Sequence, residues 1–272
     1  MPDMRIRRAA PADLPVLTRL WQAAFDDPPE LIERFYRRFP PEMAAWVVEA
    51  GGCVVTAAHL LEGRLHTADG NVLSCAYVYA VSTDPAHQGN GYASALMRRF
   101  ASDADASGCV LYTLPAEDTL YQWYQTVMGT TQTACGERLR IARQQITDAL
   151  PAVTRISAPE YAVLRAQLLQ GRAYAEPSAA LLDFQADLCA MCGGALVRVG
   201  SGCAVAEREG DALIIKELLG ADTTSAAQAL LAAFDAQAAQ VCLQRQDGAQ
   251  PIAAYRPFSR DTADIFWGLY LD

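Results

Sequence analysis

Seven consecutive residues hold the most chemical promise in this chain: Gln88, Gly89, Asn90, Gly91, Tyr92, Ala93 and Ser94. Two glycines alternate with larger residues just where a helical pattern begins, an order suited to capturing a pyrophosphate. Such a ligand needs several backbone N–H donors converging on it. A glycine-bearing turn leading into a helix supplies them, and the helix dipole adds a favourable field. Gly89 and Gly91 let the backbone approach the phosphates with no Cβ in between. Ala93 keeps the first helical turn small, and the Gln88 amide is a further donor. A glycine turn that merely caps a helix would share part of this pattern, so the surrounding elements must decide.

Other reactive residues are scattered. Tyr121 and Tyr124 lie on a helical stretch that ends at Gly129. His59 falls in a strand pattern, where a lone histidine is more often a core or surface residue than a base, and His87 sits beside the glycine loop. Glu117 and Asp118 begin the tyrosine helix, where acidic residues are expected simply as N-terminal caps. No general base stands out among them. Cys189-x-x-Cys192 is the only tight cysteine pair; it lacks a second pair, and His59, His66 and His87 are far off in sequence. That spacing does not make a zinc site, and no metal is expected. Cys53, Cys75, Cys109, Cys203 and Cys242 sit in apolar, strand-like runs and read as reduced core thiols.

The elements that must position the loop are legible around it. A long strand over 72–83 ends at Asp84-Pro85, and a helix then carries Tyr92, Leu96 and Phe100 along one stripe. A short buried strand follows at 109–114, a helix at 118–127 and a pair of strands at 131–142. Upstream come an edge strand at 4–8, a helix opening at Pro11, a shorter helix at 31–39, and strands at 45–49 and 53–61 joined by Gly51-Gly52. This alternation predicts a mixed α/β layer with at least one parallel pairing. The segment 143–158 reads as a connection. Beyond it the pattern gives helices at 160–170 and 179–191 and strands at 195–199, 203–209 and 212–219. A helix at 223–240, capped by Thr or Ser, then precedes strands at 241–244 and 266–271.

With these elements in place, Gln88-Gly89-Asn90-Gly91-Tyr92-Ala93 resembles the Arg/Gln-x-x-Gly-x-Gly/Ala motif of the GNAT superfamily of N-acetyltransferases, over about residues 4–142. The resemblance implies acetyl-CoA as cosubstrate, with its pyrophosphate on residues 88–94. Backbone groups of Val81, Ser82 and Thr83 would meet the pantetheine arm, and the Val81 N–H would stabilise the thioester oxygen. It also implies a tyrosine acid in a pattern like Leu-Tyr-x-x-x-Gly-Phe. Tyr124 matches best, although Gly129 falls one residue late and Thr130 replaces the Phe, which leaves Tyr121 as the alternative. A phenol of pKa about 10 can protonate a thiolate whose conjugate acid lies near about 8.5.

The second half repeats the order of hairpin, long apolar strand, helix and strand. Its loop, 220–225, lacks the glycine spacing, and Asp222 would repel a pyrophosphate. The whole resembles the two-part enhanced-intracellular-survival-like bacterial acetyltransferases, in which a degenerate copy shapes the acceptor pocket. Some members of that group use the terminal carboxylate near the reacting amine, a role that would fall to Asp272 here; a plain terminal strand is the simpler reading. The expected organisation is a GNAT domain of α/β class with a mixed sheet at 1–145, and a degenerate GNAT-like α+β domain at 155–272.

Composition sets the outer bounds. With 272 residues the chain has room for two domains, and 52% hydrophobic against 19% charged residues supports sizeable cores. A net charge of −9 lacks the basic patches that nucleic acid requires. No apolar run reaches membrane-spanning length and no signal-peptide pattern opens the chain, so a cytoplasmic protein is expected. The function expected is transfer of an acetyl group from acetyl-CoA to a primary amine, on a small molecule or a peptide, by direct attack. Transfer of another acyl group, or a GNAT-like binding module without turnover, are the alternatives. Homo-oligomerisation is compatible with all three.

Overall fold

The glycine loop sits between a strand and a helix in the computed structural model, which describes residues 4–115, 117–145, 149–244, 250–256 and 265–268. The chain divides into two compact units. The first takes residues 4–65, 72–133 and 253–256; the second takes residues 66–71, most of 134–252 and 265–268.

The first unit opens with β1 (Met4–Arg8), α1 (Leu14–Phe25), α2 (Pro29–Arg38) and the one-turn α3 (Pro41–Ala44). There follow β2 (Ala45–Ala50), β3 (Cys53–His66), β4 (Val72–Thr83), α4 (Tyr92–Ser107), β5 (Val110–Thr113) and α5 (Asp118–Met128). The strands lie side by side in chain order, β1 to β5. β1, β2 and β3 pair antiparallel, with Ala50 opposite Cys53 across the Gly51-Gly52 turn. β4 and β5 pair parallel, as a crossover through α4 requires. One face of the sheet is covered by α4 and α5, because Leu96, Met97 and Phe100 and then Val127 and Met128 recur at helical spacing. They bury against Val48, Val55, Ala76, Val78 and Leu111. On α1 and α2, Trp21, Phe35 and Tyr36 form an aromatic cluster with His59 of β3 and Tyr79 of β4.

The second unit contains most of β6 (Gln132–Ala142), then β7 (Val153–Arg155), α6 (Ala158–Leu168), β8 (Ala173–Pro177), α7 (Ala179–Met191) and β9 (Ala195–Val199). It continues with β10 (Gly202–Glu209), β11 (Ala212–Leu219), α8 (Thr223–Ala233) and β12 (Ala238–Gln244). Its strand order is β6-β12-β11-β10-β9-β7, antiparallel except for the parallel β11–β12 pair that flanks α8. Of β13 (Gln250–Tyr255), Ala254 and Tyr255 pair with Thr113 and Tyr112 of the first unit. β14 (Ile265–Phe266) runs parallel to β8.

Several elements depart from the sequence reading. The pair of strands expected at 131–142 is one strand, β6, and from Gly136 to Ala142 it pairs with β12 inside the second unit. The connection expected at 143–158 contains β7. The helix expected to run to 240 stops at Ala233: Asp235 turns left-handed at φ 50, and Gln240 lies in β12. No glycine or proline marks that stop, so the pattern carried the helix too far. The cap of α8 is Asp222, not a Thr or Ser, and its side chain accepts from the Ser225 N–H. Within the expected strand 266–271, Phe266 is in β14; residues 269–272, Asp272 among them, lie outside the described residues.

All eight cysteines are thiols. Cys75 and Cys203 are buried as expected, whereas Cys53, at the mouth of the Gly51-Gly52 hairpin, is exposed. No helix among the described residues is long and apolar enough to cross a membrane.

Candidate active site

β5 ends at Thr113, but β4 runs on to Thr83. Their parallel register closes with Val78 opposite Thr113, so the stretch of β4 from Ala80 to Thr83 extends past the end of its neighbour. Ala80 marks the change of direction. It has φ 46, a left-handed conformation that alanine adopts only at an energetic cost, and such outliers gather at functional sites. Beyond it β4 is held on its other side by β3: the Asp84 N–H donates to Val55 O at 2.9 Å, and the Thr56 and Thr83 hydroxyls are 3.0 Å apart. Val81, Ser82 and Thr83 thus lie on a strand anchored along one edge only by β3, with Ser82 buried and the other two half-buried.

The loop that follows has the conformation its glycines predict. A one-turn 3-10 helix, Pro85–His87, is capped by the Asp84 carboxylate, which accepts from Ala86 N–H at 3.0 Å. Gly89 and Gly91 then adopt φ 77 and 78, where a side chain would be strained, and the space a Cβ would enter is open at both. Asn90 turns inward and donates to the carbonyls of His87 and Gln88 at 3.0 and 3.3 Å. Gln88 donates to Thr83 O at 3.4 Å. Gly91 is the N-cap of α4 and brings no side chain to cap it. The N–H groups of Tyr92, Ala93 and Ser94 form the first turn of a 16-residue helix, where no intrahelical carbonyl lies behind them. The Tyr92 ring is buried in the core, which pins that turn against the sheet. Open backbone donors at a long helix's positive end make an anion-binding geometry.

Tyr124 stands at the last rung of the β4–β5 pair. Its side chain is buried, and its hydroxyl is in hydrogen-bond contact with Thr113. Thr113 itself donates to Val78 O at 3.2 Å, which fixes it at the end of the β4–β5 pair. Burial raises the phenol pKa above its ordinary value, and the Thr113 contact offsets part of that rise. The Tyr124 hydroxyl therefore lies beside the point where β4 outruns β5. Its neighbour Trp123 donates to Ser94 Oγ at 3.2 Å, tying α5 to the first turn of α4. Gly129 is the left-handed C-cap of α5 at φ 67, which accounts for a glycine at that position.

The remaining candidates are elsewhere. His59 is wholly buried and bonded on both ring nitrogens, to Tyr36 and to the Tyr79 carbonyl. His66 belongs to the second unit, where it pairs with Glu176 and stacks on Tyr174. Glu117 is the N-cap of α5 but makes no side-chain cap bond. Burial pushes the Cys189 thiol up to about 12, and Cys192 accepts the Arg208 N–H at 3.3 Å. Three features escaped the sequence: the left-handed Ala80, the Tyr124–Thr113 contact and the His59–Tyr36 pair. None has a local motif.

In the second unit the comparable helix start carries a side-chain cap. Asp222 caps α8 with its own carboxylate, 2.9 Å from Ser225 N. Pairing of β11 with β12 ends at Ile215–Val241, and the chain's own residues 265–268 lie beyond it. The Gln244 amide donates to Ile265 O and accepts from Trp267 N–H, while Gly268 packs against Glu217 and Arg165 so closely that a Cβ would collide with the carboxylate. Glu217 and Arg165 form a buried ion pair at 2.9 Å, joined by Tyr161 O–H at 2.5 Å. Two surface concavities of about 390 and 350 Å³ also lie in this unit, one along α6 and one lined by Arg138, Glu207, Arg208 and Lys216. Neither involves the glycine loop.

Comparison with known proteins bears on the fold. Residues 5–126 match the family described as "Acetyltransferase (GNAT) domain". The fold is shared with a GCN5-related N-acetyltransferase from Anabaena variabilis, at TM-score 0.73 and 14% identity, over 94% of this chain and 73% of that one. Eis1 from Mycobacterium abscessus matches at 0.68 and 13%, over 94% and 74%. A tandem GNAT protein from the clavulanic acid biosynthesis pathway matches at 0.54 and 14%, over 93% and 97%. No curated protein sequence matches the chain significantly. The architecture is a GNAT fold with a mixed sheet followed by a degenerate GNAT-like part, as the sequence resemblance led us to expect.

Proposed function

We propose, from the match of residues 5–126 to the GNAT acetyltransferase domain, that this chain transfers an acetyl group from acetyl-CoA to a primary amine. The pyrophosphate of the donor sits on the open N–H groups of residues 88–94. The pantetheine arm follows Val81, Ser82 and Thr83 past the end of β5, as an added strand would. An amine lone pair attacks the thioester carbonyl carbon, and the Val81 N–H faces the oxygen as it becomes an oxyanion. The carbon–sulfur bond then breaks, and Tyr124 O–H gives its proton to the departing thiolate. The ammonium formed loses its proton to water or to a base that no residue here identifies. The acceptor is a small-molecule or peptide amine, which an acidic protein of net charge −9 attracts. Catalysis resides in a domain at 1–145 and not in the degenerate one at 155–272, and the enzyme works in the cytoplasm.

One observation carries this reading: the cap of α4 is a glycine in open space where the cap of α8 is a carboxylate bonded to its own helix. Calorimetric titration with acetyl-CoA and coenzyme A, on wild type and Gly91→Asp, tests it. Wild type should bind both, and Gly91→Asp should lose at least about tenfold, because a carboxylate would occupy the anion's place. Absence of binding in wild type, or equal binding in both proteins, removes the cofactor assignment.

A further inference from the structure

His59 and Tyr36 have no role in the reaction just described, yet they form a buried hydrogen-bonded chain that ends on β4. His59 lies on β3, wholly enclosed by Trp21, Phe35, Tyr36 and Tyr79, with ring centroids 5.3 Å from Trp21 and 5.1 Å from Phe35. Its Nδ1 is 3.3 Å from the Tyr79 carbonyl, and its Nε2 is 2.9 Å from the Tyr36 hydroxyl. A carbonyl can only accept, so Nδ1 carries the hydrogen. In a neutral ring Nε2 is then the acceptor and Tyr36 O–H the donor. Burial keeps the ring neutral by pushing its pKa down to about 4. Both nitrogens are used and the tautomer is fixed.

The carbonyl that His59 holds belongs to the peptide entering Ala80, the residue in the left-handed conformation. Between that carbonyl and the Val81 N–H stand only the two backbone dihedrals of Ala80. Alanine does not hold such a conformation by preference, so neighbours must impose it. We propose that His59, itself fixed by Tyr36, is a positioning residue: by anchoring the Tyr79 carbonyl it holds the turn at Ala80 and so sets the direction of the Val81 N–H. The inference rests on the reading of that N–H as the group facing the thioester oxygen. His59 touches neither donor nor acceptor and acts only through the strand.

The test uses His59→Leu, His59→Asn and Tyr36→Phe in the full chain. Asparagine can still donate to the Tyr79 carbonyl, leucine cannot, and Tyr36→Phe keeps the aromatic packing. Three quantities are read: coenzyme A affinity by calorimetry, kcat for acetyl-CoA consumption with the best of a panel of primary amines, and hydrogen exchange of the Val81 amide. His59→Leu should lower kcat at least about tenfold and speed Val81 exchange, while coenzyme A affinity stays within about threefold. His59→Asn should recover part of the loss, and Tyr36→Phe should show a smaller loss of the same kind. A folded His59→Leu protein with wild-type kcat and exchange overturns the proposal, as does a fall in coenzyme A affinity as large as the fall in kcat. Should His59→Leu fail to fold, Tyr36→Phe carries the same test, and wild-type kcat and exchange in it overturn the proposal. Failure of the underlying reading looks different: wild type itself neither binds coenzyme A nor consumes acetyl-CoA, and the positioning role falls with it.

Discussion

A buried neutral histidine makes folding sensitive to acid, and here the size of the effect can be worked out. The His59 pKa is lowered from 6.5 to about 4, first by burial and against the carbonyls of Tyr79 and Ala80, which favour the charged ring. The unfolded chain takes up a proton on this residue near pH 6.5, and the folded chain resists until about pH 4. Stability from this source is therefore complete above pH 6.5 and drains away as the pH falls from there toward 4. The full shift corresponds to about 3 kcal/mol, of which about 2 kcal/mol is already lost at pH 5. Other groups also titrate in that range, so wild type must be compared with His59→Asn, whose side chain is neutral throughout. Asp27, which accepts from the Trp21 indole at 2.7 Å, is present in both proteins and cancels in the difference.

Urea unfolding followed by tryptophan fluorescence is the assay, with Trp21 as a reporter packed against His59. At neutral pH wild type should exceed His59→Asn in stability, because the variant leaves the Tyr36 hydroxyl without its buried acceptor. That advantage should shrink by about 2 kcal/mol on going from about pH 7.5 to about pH 5. A difference that stays flat with pH, or grows in acid, would refute the claim that His59 is buried in its neutral form.

Two further outcomes follow from the same geometry. Tyr124→Phe should cut kcat by about 10² while acetyl-CoA affinity measured by calorimetry is retained, and unchanged turnover would remove the phenol from the reaction. Asp222→Ala should lower the stability of the second unit by about 1 kcal/mol in a thermal or urea melt, with coenzyme A affinity untouched. Loss of coenzyme A binding in that variant would place the cofactor on the wrong helix.

The parts of the fold that a short-range pattern can encode were readable. β4 and α4 were legible because Asp84-Pro85, two glycines and the Tyr92–Leu96–Phe100 stripe each constrain only a few neighbouring residues. α7 and β11 were found at their observed bounds for the same reason. What escaped depends on distant partners. β6 looked like the close of the first half because nothing local shows that Leu139 and Ile141 will pair with Val241 and Ala239. β13 has no local signal of its own, and its Ala254 and Tyr255 pair with Thr113 and Tyr112 of β5, distant in sequence. The site divides along the same line. The loop announces itself through glycine spacing, whereas Thr113, the turn at Ala80 and the Tyr36–His59 pair exist only once α2, β3, β4 and α5 have packed.

The repeated order of elements gives one chain two helix starts at the ends of parallel strand pairs, and the two are finished differently. Both units send a strand, α4 or α8, and a parallel strand into their sheets, so each produces a helix start at the end of a parallel pair. An unmodified helix start is a ready anion site, because its first N–H groups and its dipole are unsatisfied. What happens next depends on the cap. In the first unit Gly91 adds no side-chain cap, so the N–H groups of Tyr92, Ala93 and Ser94 have neither a capping side chain nor an intrahelical carbonyl behind them. In the second unit Asp222 spends one donor on its own carboxylate and places a negative charge where a phosphate would have to come. The strand ends differ in the same sense. β4 outruns β5 by the stretch from Ala80 to Thr83, whereas the space beyond the last β11–β12 rung holds residues 265–268, fastened by Gln244 and packed on the Arg165–Glu217 pair. An anion at the start of α8 would meet the Asp222 carboxylate, and residues 265–268 pack on a fully buried ion pair. That pair lies within α6 and β11, and removing one partner of such a pair costs roughly 3–5 kcal/mol, so residues 265–268 pack on a part of the second unit that does not give way easily.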